Sequence, residues 1–465
     1  MLEGVHRVHL IGIGGIGVSA VARVLLARGF QVSGSDVRES QLTQGLRDEG
    51  ADVTIGHRAD LVDGADLVVY STAVPATNPE LIAARERGVP VRHRAEVLGA
   101  LLPAWRSVGV VGTHGKGTVS AMITRCFESA GRDPSFIIGG LLLDYGTNAR
   151  VTAPAEGKGH AVVEIDESDG SLVHVRPDRL VINNVEADHL NYYKDRDAVI
   201  DTIAGVLADE RDRQLVIAHV GDEGVRDVLS RLTRPIRVLR VAFEDDLPPG
   251  HEAEVSARDL TLSAAGSEFT LVYHGREVCR LSMPRPGRYN AMNALVAAAT
   301  ALSYDLPIDS IRDGLAAFAG IENRFTVVQR GAARIVKDYT SHPTGMRRVI
   351  AAAKTLSDAP ITAVFKPYRF TMIHYLGDEY AVAFREAARV VVTELYTAGE
   401  VPIAGVDAQW LVDKIRATGT PVDFVPEMND LPLHLPEARD GATVLFFGGD
   451  DLFRLADAFA ATLPA

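Results

Sequence analysis

"HLIGIGGIGVSAVARVLLARGFQVSGSD", residues 9–36, holds two short apolar runs on either side of a longer amphipathic one. The first run stops in Gly12, Gly14, Gly15 and Gly17, and the second stops at Asp36. Short apolar runs bounded by glycine read as buried strands, and the amphipathic stretch between them reads as a helix. Strand, turn, helix and strand in that order build a parallel pair. The pattern recurs in "ADLVVYSTA", "SVGVVGT", "HAVVEID", "RLVINNVE", "QLVIAHV", "ITAVFK", "ARVVVTEL" and "ATVLFFGG". An α/β chain with parallel sheets is therefore expected, with ligands bound beyond the carboxyl ends of the strands.

The pattern restarts at Val108 and again near "FAGIENRFTVVQRG" (318–331), which divides the chain into 1–105, 106–321 and 322–465. Residues 240–282 differ: "EVSARDLTLSAAGSEFTLVYHGREVCRLS" alternates apolar and polar residues, as an antiparallel ribbon does. The 465 residues carry a formal charge of −13, which opposes non-specific binding to nucleic acid or an anionic membrane. Cys126 and Cys279 are far apart, so neither a disulfide framework nor a thiolate zinc site is expected. Neither a secretory leader nor a membrane-spanning run is legible, and a soluble cytoplasmic protein is the expectation.

Gly12-x-Gly14-x-x-Gly17 after a strand, with Asp36 ending the next strand, fits a diphosphate beside a ribose. That pattern does not separate NAD from a UDP-sugar, and taken alone it favours a dinucleotide. A second loop, Gly112-Thr113-His114-Gly115-Lys116-Gly117-Thr118, follows "SVGVV" and opens a helical pattern. Its amides can cradle phosphates and Lys116 can reach the β and γ oxygens. A strict phosphate loop puts a hydroxyl directly after the lysine, for Mg²⁺. Here Gly117 stands there and the hydroxyl comes at Thr118.

Two later strand ends offer carboxylates and an imidazole: Glu164, Asp166, Glu167 and Asp169, then Asn184, Glu186, Asp188 and His189. Mg²⁺ on a triphosphate takes few protein ligands. Glu164 is the first choice, being closest to its apolar run. Asn290 and Asn293 share a helical face and could pair with an adenine edge, or Asn290 could simply cap its helix.

Taken together, these pieces resemble the Mur ligase family, over nearly the whole chain. "GIGGIGVSA", "VSGSD", "STAVPATNPE", "HRAEVL", "GTHGKGT", "GTNAR", "DESDGS", "EADHL", "GRYNAMNAL", "NRF", "DYTSHPT", "FKPYRFT" and "YTAGE" fall in family order. The resemblance implies three domains: a Rossmann-like first domain, a central P-loop ATPase-like α/β domain carrying the ribbon, and a Rossmann-like third. It is greatest to the members that join L-alanine to UDP-N-acetylmuramate with ATP and Mg²⁺, through an acyl phosphate, in peptidoglycan precursor synthesis. A monomer or weak homodimer goes with it.

Carried over by motif, the resemblance places the UDP-sugar at Gly14, Gly15, Ile16, Gly17, Asp36, Ser71, Thr147 and Asn148. It places ATP at Gly112, Thr113, Gly115, Lys116, Gly117, Thr118, Asn290, Asn293, Arg324 and Asp338. Thr118, Glu164 and His189 would hold Mg²⁺, and Lys116, Glu164, His189 and Arg324 would carry catalysis. His342 and Arg369 would meet the amino acid.

The chain departs from the family pattern at identifiable places. Gly117 replaces a threonine. Thr340 and Ser341 replace glycine and histidine in "DYTSHPT". Lys366, Tyr368 and Met372 replace glutamine, histidine and a second arginine in "FKPYRFTM". That arginine is expected to bind the amino acid's carboxylate, and Lys366 or Lys337 are the candidates to succeed it. A murein-peptide recycling ligase and a UDP-sugar-binding relative without turnover are the alternatives. A nicotinamide dehydrogenase would rest on the first loop alone.

Overall fold

The computed structural model describes residues 1–153, 158–167, 170–190, 192–209 and 214–464. It forms three sheets that follow one another along the chain. The first has five parallel strands, with Arg7–Ile11 at its centre between Gln31–Asp36 and Leu67–Tyr70. The turn at Gly12 leads into helix Ile16–Ala27, whose inner face (Val18, Val21, Val24 and Leu25) is buried. That helix is the crossover a right-twisted parallel pair requires.

The second sheet has ten strands. At its heart Arg106–Val111 lies parallel between His160–Glu164 and Arg179–Ile182. Val110 is level with Glu164, and Val111 with Ile182, so the phosphate-loop glycines and both acidic strand ends emerge at one edge. The expected ribbon is present as three antiparallel strands, Val255–Ser263, Gly266–Tyr273 and Arg276–Met283. Phe269, Leu271 and Leu281 bury its inner face beneath the apolar helix Arg288–Leu302.

The third sheet has six strands in a mixed arrangement. Thr326–Arg330 is antiparallel to Ala333–Asp338, and the remaining pairs are parallel. The last strand in sequence, Thr443–Phe447, sits between Ala333–Asp338 and Ile361–Phe365. Each of the ten runs read as strands in the sequence contains a strand of these sheets. Among the described residues, no helix is long and apolar enough to cross a membrane.

Candidate active site

A cleft of about 930 Å³ opens where the carboxyl ends of the three sheets face one another. Its wall takes Gly15, Ile16, Gly17 and Ser71 from the first sheet's loops, and Thr113 and Gly115–Thr118 from the second's. Glu164, His189, Asn290 and Asn293 join them, and the third sheet adds Arg324, Asp338 and His342. The two glycine loops thus face one space, as their positions after strands require.

The phosphate loop is built by the strands beside it. Asn183 N donates to Val111 O (3.0 Å) and Thr113 N to Asn184 O (3.1 Å). The Asn184 side chain accepts from His114 N (2.7 Å), and both asparagine amides donate to His114 O (2.9 Å each). Gly115 closes the turn at φ +79°, and a β-carbon there would stand 2.6 Å from Asn293 Oδ1. Only glycine suits both constraints. Helix Lys116–Ser129 starts without a side-chain cap, leaving its first amides directed at the cleft.

Lys116 Nζ donates to Gly112 O (2.7 Å) and Glu167 Oε1 (2.8 Å). Burial pulls its pKa down, but Glu167, Asp166 and Glu164 more than offset this and hold the ammonium charged. Glu164 Oε2 accepts from Gly139 N (2.6 Å), which seats its carboxylate over the start of the phosphate-loop helix. His189 has φ +51°, and its Nε2 is 3.8 Å from both Glu167 and Asp188. Asp169 lies outside the described residues.

Arg324 reaches over the Tyr339 ring at 5.7 Å. Asp338 accepts from Phe325 N (2.9 Å) and Thr340 N (2.8 Å), tying two third-sheet loops together. Asn290 Nδ2 donates to the Pro286 carbonyl (2.8 Å), and Asn293 Oδ1 accepts from the Asn183 side chain (3.0 Å).

Several expected residues do not face the cleft. Gly14 and Gly112 are not part of the cleft wall. Asp36 turns back on its own loop and accepts from Gly14 N (2.9 Å). Thr147 donates to Ala149 O (3.1 Å) within its strand turn. Asn148 is fully buried: it donates to Ile16 O (2.6 Å) and accepts from Arg23 (2.6 Å), clamping the second sheet's edge strand to the first helix. Arg369 pairs with Glu400 (3.3 Å) outside the cleft wall. His342 does line the cleft, but its Nδ1 caps helix Pro343–Lys354 and its Nε2 donates to Ala187 O (3.0 Å).

Other residues come to the site only through the fold. Arg94 bridges the first sheet's unit to Asp166 at 3.2 Å. Glu186 stands 3.6 Å from His114, 3.7 Å from His342 and 3.5 Å from Arg348, joining the phosphate loop to the third sheet's helix. Burial pushes His114 down to about 4, against the pull of Glu186. Both Arg94 and Glu186 sit inside quoted motifs, yet only the tertiary arrangement gives them these partners.

Comparison with known proteins follows the same division. Three family models match: "Mur ligase family, catalytic domain" over residues 7–106, "Mur ligase middle domain" over 110–301, and "Mur ligase, glutamate ligase domain" over 323–449. A UDP-N-acetylmuramate--L-alanine ligase of Symbiobacterium thermophilum is 39% identical over 467 residues, covering 99% of this chain and 95% of that one. One of Trichlorobacter lovleyi is 35% identical over 468 residues, covering both chains fully. The crystal structure of UDP-N-acetylmuramate-alanine ligase MurC from Thermotoga maritima superposes with a TM-score of 0.80, at 25% identity over 98% of each chain. A murein peptide ligase from Psychrobacter arcticus shares the fold, with a TM-score of 0.72 and 22% identity over 99% and 100% of the chains.

Proposed function

The chain belongs to the Mur ligase family, and we propose that it joins L-alanine to the carboxylate of UDP-N-acetylmuramate at the expense of ATP. The observation that carries this reading is the single cleft into which both glycine loops open. Its place is in peptidoglycan precursor synthesis, in the cytoplasm, as a monomer or weak homodimer. The three units fall at 1–105, 106–321 and 322–465.

In this account the sugar nucleotide lies along Gly15–Gly17 and Ser71, and the triphosphate lies on the amides of Gly115–Thr118 under Lys116. The sugar's carboxylate attacks the γ-phosphorus, giving ADP and an acyl phosphate. The amine of the amino acid then attacks the acyl carbon, and phosphate leaves. Carboxylate and triphosphate repel each other, so Lys116 and Arg324 have to offset their charge as they meet. The acyl phosphate hydrolyses readily, and a cleft walled by three units can exclude water from it.

The donor set fits Mg²⁺. Glu164 offers a carboxylate at the helix start, and Thr118 and His189, both lining the cleft, carry a hydroxyl and an imidazole. The carboxylate and hydroxyl oxygens suit this ion, which takes few protein ligands, and the imidazole nitrogen is the exception in the set. When bound, it would neutralise phosphate charge. Thr118 would then take over the hydroxyl that Gly117 lacks.

A thermal-shift comparison tests the first-domain assignment. UDP-N-acetylmuramate is expected to raise the melting temperature, with NAD and NADP giving no shift. A shift with NAD or NADP and none with the sugar nucleotide would contradict it.

A further inference from the structure

Glu186 follows the strand Arg179–Ile182, and its backbone N donates to Thr113 Oγ1 (2.9 Å), which sets it against the phosphate loop. Its carboxylate has an imidazole on either side. Oε1 stands 3.6 Å from His114 Nε2, and Oε2 stands 3.7 Å from His342 Nδ1. Both spacings are longer than a hydrogen bond. The two imidazole ring centres are 4.8 Å apart. One ligand atom from each of the three residues can be chosen so that all lie within 4.8 Å of one another. His342 Nε2 donates to Ala187 O (3.0 Å), so Nδ1 carries the lone pair, and it accepts from Thr344 N (3.3 Å). Nδ1 and the Glu186 carboxylate therefore meet as acceptor against acceptor. His114 Nε2 is buried without a hydrogen-bond partner. Burial also holds His114 neutral at pH 7, at about 4.

A dication between these groups satisfies all three at once. Zn²⁺ takes imidazole nitrogen and carboxylate oxygen at about 2.0–2.2 Å, which sets tetrahedral ligand atoms about 3.4 Å apart. The two glutamate–histidine spacings already approach that value. An imidazole that donates its other nitrogen to a backbone carbonyl, as His342 does, is supported as metal-bound imidazoles are. Two imidazoles and a carboxylate favour a transition metal over Mg²⁺. Three protein ligands leave a fourth position for water, and His114 and His342 both line the cleft. Arg348, 3.5 Å from Glu186 Oε1, is the opposing charge, and its side chain is 37% exposed, so it can turn to water.

We propose that His114, Glu186 and His342 form a site for a divalent transition-metal ion of the Zn²⁺ class, separate from the Mg²⁺ position at Glu164. The bound ion ties the phosphate loop and the second sheet's strand end to the helix Pro343–Lys354 of the third unit. The helix cap that His342 Nδ1 gives up is a long one, and the metal bond replaces it. The site stands on these three residues, whatever reaction the cleft performs.

The test titrates metal-free protein with Co²⁺ in excess Mg²⁺, read by visible absorption, and then with Zn²⁺, read by competition with a chelating dye and by melting temperature. The wild type is expected to bind a single equivalent of Co²⁺ with the intense bands of a four-coordinate ion. Zn²⁺ should displace it and raise the melting temperature. His114→Gln, Glu186→Gln and His342→Asn should each weaken binding at least about tenfold. The asparagine variant keeps a helix cap, so its loss of metal is not a loss of fold. Arg348→Gln should tighten binding, because the opposing charge is gone, and Glu164→Gln should leave it unchanged. A wild type that binds neither Co²⁺ nor Zn²⁺ in excess Mg²⁺ overturns the proposal. So does a site that survives intact in both histidine variants, or one that is lost in Glu164→Gln, which puts the ion at the Mg²⁺ position instead.

Discussion

The carboxylate of Glu164 lies directly over Gly117: its Oε2 is 3.0 Å from where a β-carbon on that glycine would stand. The absent hydroxyl and the candidate metal-binding carboxylate therefore compete for one space. An alanine β-carbon at Gly117 would also stand 3.3 Å from Ile321 Cδ1 and 3.4 Å from Ile138 Cγ2, so Gly117→Ala is expected to lower the melting temperature slightly. It should also crowd Glu164 and raise the Mg²⁺ concentration for half-maximal activity several-fold. An unaltered Mg²⁺ requirement would show that Glu164 holds no metal.

Thr118 is the complementary case. The residue lines the cleft one position on from the lysine–glycine pair. Thr118→Ala should weaken Mg²⁺-ATP use several-fold, while the thermal shift with UDP-N-acetylmuramate stays as in the wild type. Titrating Mg²⁺ at fixed ATP checks this, and superimposable curves would refute it.

Lys116→Ala is expected to lower kcat by at least about a hundredfold, because the cation nearest the developing phosphate charge is lost. Binding of the sugar nucleotide, on the other loop, should persist. Undiminished phosphate release would remove Lys116 from the mechanism.

The first sheet depends on a buried carboxylate far from the phosphates. Glu80 is fully buried and meets His9 Nε2 (2.8 Å), Ser35 Oγ (2.7 Å), His57 Nδ1 (3.0 Å) and Arg58 N (3.2 Å). The Ser35 carbonyl in turn holds Gly12 N (2.8 Å) and Ile13 N (2.9 Å). Glu80→Leu strands the histidine and serine partners and should cost about 3–5 kcal/mol. Denaturant unfolding measures it, and a loss under about 1 kcal/mol would contradict this role.

Stability should fall as pH drops from about 6.5 to about 4. Burial, with help from Arg132, Arg106 and Arg179, pushes His160 down to about 4, below its ordinary value of 6.5. Between those values the unfolded chain binds the proton and the folded chain does not, so acid favours unfolding. His160→Phe should flatten part of the slope, with His114 supplying a further part. An identical slope in the variant would refute the assignment.

The sequence made the sheet centres and both glycine loops legible, because buried parallel strands are continuous apolar runs and phosphate turns need glycine. Short edge strands such as Asp52–Ile55, Val91–His93 and Val422–Phe424 carry too few residues for a pattern. Ser135–Leu142 hides behind its paired glycines, Gly139 and Gly140. Side-chain direction was the harder matter. Motif and spacing put Asn148, Asp36 and Arg369 at ligands, but they give no sign of the protein partners each one meets: Arg23 with the first helix, Gly14, and Glu400.

The central claim is that one cleft couples ATP hydrolysis to amide formation between a sugar nucleotide and an amino acid. Its most direct test is phosphate release with ATP and Mg²⁺, scored across a panel of amino acids and the murein tripeptide with UDP-N-acetylmuramate fixed. Release that requires both UDP-N-acetylmuramate and L-alanine, and exceeds that with the tripeptide, is the predicted result. Release with the tripeptide but not L-alanine, or with no acceptor at all, would contradict it.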